Sequence, residues 1–184
     1  MIPSMSRTCE RDVLHKGSKF DFERVCLHLE DGSTLEREIV RHPGAVVILP
    51  LLPDGRVAMI RNLRVAVDDW LLELPAGTID RGEAPEICAA RELIEETGWR
   101  ADRLIPLGSF LTTPGLTDEL MHAFLATDLT HVGERPEADE RIQVTPVPLQ
   151  TCFDMIDKAE LIDAKSMLAL LIALRRGLLP AGHA

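Results

Sequence analysis

Arg91-Glu92-Leu93-Ile94-Glu95-Glu96-Thr97-Gly98 is the stretch on which the reading of this chain turns. It closes a segment from about Ala84 to Thr97 that is strongly helical in composition, and Gly98 stands where a helix stop is expected. Successive helical residues turn by about 100°. With Glu92 as origin, Glu95 falls at about −60° and Glu96 at about +40°, so three carboxylates share one face. Ile87, Ala90 and Ile94 fall at about 160° to 220° on the same count and are expected to face the core.

Such a face is locally unfavourable. Like charges one turn apart cost roughly 0.2–0.5 kcal/mol per pair, and anions near a helix C-terminus oppose the macrodipole. Arg91 offsets part of this through Glu95 four residues on. A divalent cation would reverse it, because hard cations favour clustered carboxylate oxygens. Three glutamates alone also fit a solvated acidic face, so the surroundings decide. Leu74-Pro75-Ala76-Gly77 brings a strand end and an irregular loop to the helix start, where backbone carbonyls are available as further ligands.

Gly77, Glu83, Arg91, Glu92, Glu95, Glu96 and Gly98, followed by Trp99, resemble the Nudix box. At about 7% usage per residue type, a chance match of seven fixed positions is on the order of one in a hundred million per start position. Trp99 departs from the aliphatic residue usual in the family but is still apolar. The resemblance implies an α+β protein, an α/β/α sandwich around a mixed sheet. It also implies hydrolysis of a nucleoside diphosphate linked to another moiety. Glu92 and Glu96 match the family's metal ligands, with Glu95 helping directly or through water and the Ala76 carbonyl matching a further ligand. Arg91 matches a residue that orients the glutamates, and Glu83 one that ties loop to helix. Gly77, Glu83 and Gly98 are thereby structural members of the motif.

Downstream, Phe110-Leu111-Thr112-Thr113-Pro114-Gly115-Leu116-Thr117-Asp118-Glu119 reads as a loop with a turn at Pro114-Gly115. Its spacing from the box resembles the ADP-ribose pyrophosphatase branch of the family. Arg61-Asn62-Leu63-Arg64 and Trp70-Leu71-Leu72-Glu73-Leu74-Pro75-Ala76-Gly77 resemble that branch as well. The resemblance makes Arg64, Arg61, Glu73, Pro114 and Glu119 the candidates for binding substrate. It implies conversion of ADP-ribose to AMP and ribose 5-phosphate. GDP-mannose or another nucleotide sugar is the alternative substrate, and a non-catalytic nucleotide sensor is the alternative of another class.

Diphosphate hydrolysis needs charge neutralisation, an oriented water and a base. Two or three Mg²⁺ ions, with Mn²⁺ as the alternative, suit oxygen ligands and phosphates together. Glu95 and Arg91 are assigned catalytic roles beside Glu140, the base chosen from the acidic loop Glu134-Arg135-Pro136-Glu137-Ala138-Asp139-Glu140. Ala138 stands where the branch often has a second acid, so Glu137 and Asp139 remain open as the base.

Outward from the box, residues 43–184 are expected to form the hydrolase domain and residues 1–42 a tail and small β subdomain. Residues 1 to about 10 read as a loose tail. Residues 11 to 41 read as short strands, with Val25–Leu29 and Leu35–Val40 running around an Asp31-Gly32 turn. Further strands are expected at Ala45–Leu49, Val57–Ile60, Leu71–Leu74, Leu104–Phe110 and Met121–Ala126, a loop at His131–Arg141, and helices at Leu149–Lys158 and Ala164–Arg176. Asp163 is placed to cap the last helix and Gly177 to end it. A hairpin as small as the N-terminal one is marginal alone. The branch's N-terminal β domain crosses to a partner subunit, which implies a homodimer. Phe20, Phe22 and Trp70 are among the few rings available to stack on a base, since aromatics make up 4% of the chain.

The bulk numbers agree. The chain has 184 residues and 46% hydrophobic residues, enough for one core. Its net charge of −10, from 30 acidic and 20 basic side chains, disfavours nucleic acid and anionic membrane surfaces as partners. An anionic substrate then needs a bridging cation. Cys9, Cys26, Cys88 and Cys152 form no C-x-x-C pair, no apolar leader is evident, and no run is long enough to span a bilayer, so a cytoplasmic location is expected.

Overall fold

Residues 7–133 and 141–180 are described from a computed structural model. In chain order the elements are β1 (Arg7–Lys16), β2 (Asp21–Leu29), β3 (Thr34–Arg41), β4 (Ala45–Pro50), β5 (Arg56–Arg64), β6 (Asp69–Glu73) and β7 (Ala76–Thr78). Then come α1 (Pro85–Thr97), β8 (Trp99–Leu111), β9 (Leu120–His131), β10 (Ile142–Pro148), α2 (Leu149–Asp157) and α3 (Ala164–Arg175). They fall into two compact units. One comprises the N-terminal segment through Gly44 with Leu111–Leu120, the other Ala45–Phe110 with the chain from Met121 onward.

In the larger unit, β4 organises the core. It runs parallel to β9 and antiparallel to β7 within a sheet ordered β7-β4-β9-β8, so the sheet is mixed. A second sheet is ordered β10-β5-β6. Every residue of β4 is buried, as expected of an apolar strand covered on both faces. Its pleat divides the layers. Val46 and Ile48 pack with Cys88, Ala89 and Leu93 of α1. Val47 and Leu49 pack with Phe153 of α2 and Leu170 and Ala173 of α3. Helices therefore cover both faces, giving the α/β/α arrangement and the α+β class expected from the motif. Each large aliphatic side chain buried this way contributes roughly 1.5–3 kcal/mol.

Three expectations need correction here. The face of α1 that enters the core carries Cys88, Ala89, Leu93 and Thr97, together with Glu92 and Glu96. Ile87 is 63% exposed. The amphipathic reading had set the glutamates opposite the core, whereas two of them line it. Second, β8 begins at Trp99 and not near Leu104, and β9 runs on to His131. Third, the first ten residues are not all tail, because β1 starts at Arg7. That strand shows no apolar alternation because it pairs on one side only, with β2, and its residues from Thr8 to His15 are exposed.

In the smaller unit, β1, β2 and β3 form an antiparallel sheet in that order. The Asp31-Gly32 turn is held by Gly32 N–H on the Leu29 carbonyl (3.0 Å) and Ser33 N–H on Asp31 Oδ1 (2.8 Å). Leu111–Leu120 joins this sheet by a Val40–Thr117 bridge and by Val40 N–H donating to the Leu116 carbonyl at 2.9 Å. Asp118 accepts from His42 N–H at 2.8 Å and pairs with Arg41. Phe20 stacks on His42 with ring centroids 4.6 Å apart.

Candidate active site

The site begins with how α1 starts and stops. Pro85 occupies the first turn, where a missing N–H costs nothing, and Gly98 adopts the left-handed conformation (φ 71°) with its N–H on the Ile94 carbonyl. Between these ends, Glu92 and Glu96 are one turn apart and 8% and 3% exposed. A carboxylate that deep needs a partner. Glu96 Oε2 accepts from Ala76 N–H at 2.8 Å.

Glu92 lies against Gly77. A Cβ at Gly77 would stand 1.9 Å from the Glu92 carboxyl carbon, so only glycine allows this approach. Leu74-Pro75-Ala76-Gly77 is thus seated on the carboxylates. It is fixed from the other side by Pro75, whose carbonyl accepts from Ile48 N–H at 2.9 Å, and by Leu74 N–H on Ser166 Oγ at 2.7 Å.

Arg91 is the hub of the acids. Its Nη1 donates to Glu92 Oε1 at 2.7 Å and Glu95 Oε2 at 2.9 Å. Its Nε and Nη2 donate to the two oxygens of Glu83 at 3.1 and 3.0 Å. These bonds, led by the one to Glu83, raise the Arg91 pKa and keep the guanidinium charged. In return the Glu83 carboxyl is pulled down to about 2, chiefly by its hydrogen bond to Arg91. Glu83 also holds the loop, since Asp80 N–H donates to its Oε2 at 3.1 Å. Cys88 is fully buried in the same layer, and burial pushes its thiol up to about 12.

Glu73 and Arg64 form a second charged cluster. Glu73 is 1% exposed and meets Arg64 Nη2 at 2.8 Å and Lys165 Nζ at 2.5 Å. Lys165 also pairs with Asp163 at 2.9 Å. Asp163 caps α3 as expected, accepting from Ser166 N–H at 3.1 Å and from Ser166 Oγ. Nothing in the sequence pattern signalled the contacts of Lys165 with Glu73 or of Ser166 with Leu74, each across 92 residues.

Arg61 is exposed, and the pleat of β5 sets it on the face opposite Arg64. Pro114 and Glu119 belong to the smaller unit. There Pro114-Gly115 makes a turn closed by Leu116 N–H on the Thr113 carbonyl (2.9 Å), and Glu119 accepts from Thr112 Oγ1 at 2.6 Å. Glu137, Asp139 and Glu140 lie outside the described residues.

Among the described residues, no three His, Cys, Asp or Glu side chains already enclose a space for an ion. Gly77 and the loop nonetheless enclose two buried carboxylates, Glu92 and Glu96, and both offer oxygen. That set suits a hard divalent cation. Gly77 is the feature that fits best, since a side chain there would fill the space beside Glu92.

The NUDIX domain model matches residues 40–170. The chain is 36% identical to the ADP-ribose pyrophosphatase of Bacillus subtilis (strain 168) over 166 residues, 89% of this chain and 90% of that protein. It is 30% identical to the methanol dehydrogenase activator of Bacillus methanolicus over 165 residues, 89% of each chain. A crystal structure described as an ADP compounds hydrolase superposes with a TM-score of 0.81 at 25% identity, covering 99% of this chain and 100% of that one. The chain belongs to the Nudix family.

Proposed function

We propose that this chain hydrolyses the diphosphate bond of a nucleoside diphosphate sugar, with ADP-ribose as the substrate. Water adds to one phosphorus, the bridging P–O bond breaks, and the products are AMP and ribose 5-phosphate. The observation that carries this reading is the pair of buried carboxylates, Glu92 and Glu96, set on one face of α1 against the Ala76-Gly77 backbone. The substrate is taken from the relatives named ADP-ribose pyrophosphatase and ADP compounds hydrolase.

Glu92 and Glu96, with Glu95 and the Ala76 carbonyl, would hold divalent cations, for which Mg²⁺ is the choice and Mn²⁺ the substitute. When bound, such ions supply positive charge against the diphosphate and activate water. The chain's own contribution is positional. Arg91 keeps Glu92 and Glu95 oriented, and Arg64 offers a cation to a phosphate or ribose group. Glu140 is proposed as the base that takes the proton from water. A homodimer joined through residues 1–42 and a cytoplasmic location complete the reading.

The test is turnover. With Mg²⁺ and ADP-ribose, the purified protein should release AMP, read by chromatography, faster than it releases a nucleotide from GDP-mannose. Replacing Glu96 by Gln should lower that rate at least about a hundredfold while the fold persists. No AMP above the blank removes the substrate assignment, and a normal rate for Glu96→Gln removes the metal assignment. The relative named as a methanol dehydrogenase activator makes one further arm worthwhile, because tight ADP-ribose binding without turnover favours a ligand-sensing role.

A further inference from the structure

We propose that Lys165 is a positioning residue for Arg64. By sharing the buried Glu73 carboxylate, it leaves Arg64 with positive charge to spend on an anionic group of the substrate. This rests on the reading of the chain as a nucleoside diphosphate sugar hydrolase, and extends it to a residue outside the box.

The argument starts from Glu73. An ionised carboxylate at 1% side-chain exposure is tolerable only with counter-charge. Arg64 meets it only in part: Nε donates to Oε2 at 3.3 Å, while Nη2 stands 2.8 Å from Oε1 as an ion pair without hydrogen-bond geometry. Lys165 makes the closer contact, 2.5 Å to Oε2. The two cations are unequally enclosed. The Lys165 side chain is 13% exposed and the Arg64 side chain 40%. Lys165 is thus committed to the interior, where Asp163 is its second acid at 2.9 Å. Arg64 is the more exposed of the two, and a planar guanidinium with five N–H donors can hold one anion while offering edges to another.

Burial opposes the charge on Arg64, but Glu73, joined by Glu96 and Asp163, outweighs it and raises the Arg64 pKa. The cluster is also tied to the loop that carries Gly77, because Asp163 holds Ser166, and Ser166 Oγ accepts from Leu74 N–H at 2.7 Å. Without Lys165, the whole charge of Glu73 falls on Arg64. The guanidinium is then drawn inward and partly neutralised. Substrate affinity suffers before the chemical step does.

The experiment uses the full chain with Mg²⁺ and ADP-ribose for turnover, and calorimetry with ADP without added metal, so that binding is read apart from hydrolysis. Lys165→Met should raise KM about tenfold, with a much smaller change in kcat. The ADP dissociation constant should rise by a similar factor. Lys165→Arg should restore both to within about threefold of the parent. A structural role alone would lower the unfolding temperature and the active fraction, so that kcat fell with KM constant. That pattern, or unchanged KM and ADP affinity, overturns the proposal. Lys165→Gln keeps a polar group without the charge. It is the second variant should the methionine protein not fold, and wild-type affinity in it is equally decisive. Parent protein that binds ADP but hydrolyses no nucleotide sugar overturns the functional reading, while the binding arm still decides Lys165. Parent protein that does neither overturns both.

Discussion

Glu83 and Arg91 meet as a two-armed pair, with Nε on one carboxylate oxygen at 3.1 Å and Nη2 on the other at 3.0 Å. The same guanidinium reaches Glu92 and Glu95 through Nη1. One side chain therefore fixes the loop before α1 and the acids on it together. An arginine fork matches a carboxylate in a way lysine does not, which is why the position calls for this residue type.

The pair carries a pH signature. In the folded chain the Glu83 carboxyl titrates at about 2, against 4.5 ordinarily, mainly because Arg91 bonds its charged form. The folded pKa is the lower one, so the contribution to stability is complete above about 4.5 and is lost as pH falls towards about 2. Urea unfolding of the metal-free protein across that window should show a declining midpoint, and Glu83→Gln should flatten the decline while lowering stability at neutral pH. An identical slope in the two proteins would sink the assignment.

Gly77 is where backbone and chemistry touch. A Cβ there would stand 1.9 Å from the Glu92 carboxyl carbon. The obstructed group is the end of a flexible side chain, so Gly77→Ala should fold with a cost of about 1–3 kcal/mol. It should nonetheless lose turnover by about a hundredfold, because Glu92 must leave its place. Circular dichroism and the rate of AMP release separate the two effects. A folded variant with undiminished turnover would show that Glu92 does not act from the position it holds here.

The box was legible from residue types and spacing because each position has a local cause. Gly98 ends a helix, Arg91 reaches acids one turn away, and Gly77 admits a carboxylate. The buried face of α1 was not legible. Periodicity assumes that charges face water, and Glu92 and Glu96 violate that assumption because the Ala76-Gly77 loop and the sheet enclose them. The first residues of β1 read as tail, since an exposed edge strand needs no apolar alternation. The Lys165–Glu73 and Ser166–Leu74 contacts join residues 92 apart, and no local pattern encodes a partner at that distance.

Ser166 tests how far the long contacts matter. It is fully buried, its hydroxyl accepts from Leu74 N–H at 2.7 Å, and it donates to Asp163. Ser166→Ala removes a small group and leaves an N–H without its acceptor away from water, which costs about 1–3 kcal/mol. Urea unfolding should register that loss. Because Leu74 leads directly to Gly77, turnover should fall as well, by more than the loss of folded protein explains. A variant as stable as the parent would mean that water or another acceptor replaces the hydroxyl.

The four cysteines should separate by environment. Cys9 is exposed, whereas Cys88 and Cys152 are buried and burial pushes both thiols up to about 12. Cys26 is intermediate in exposure and raised too, first by desolvation and then by Glu10 and Glu36. The thiolate is the reactive form, so at pH 8 only about one in ten thousand of the two buried groups is poised to react, and both are also sterically closed. Titration of the native protein with a disulfide reagent should therefore label Cys9 rapidly, Cys26 more slowly, and Cys88 and Cys152 only after unfolding. Because Cys88 packs in the layer beneath Glu92, its modification in the native state would require α1 to lift from the sheet. Rapid native labelling at Cys88 would mean that the helix holding the acids opens on its own, and that the carboxylates are less fixed than their burial implies.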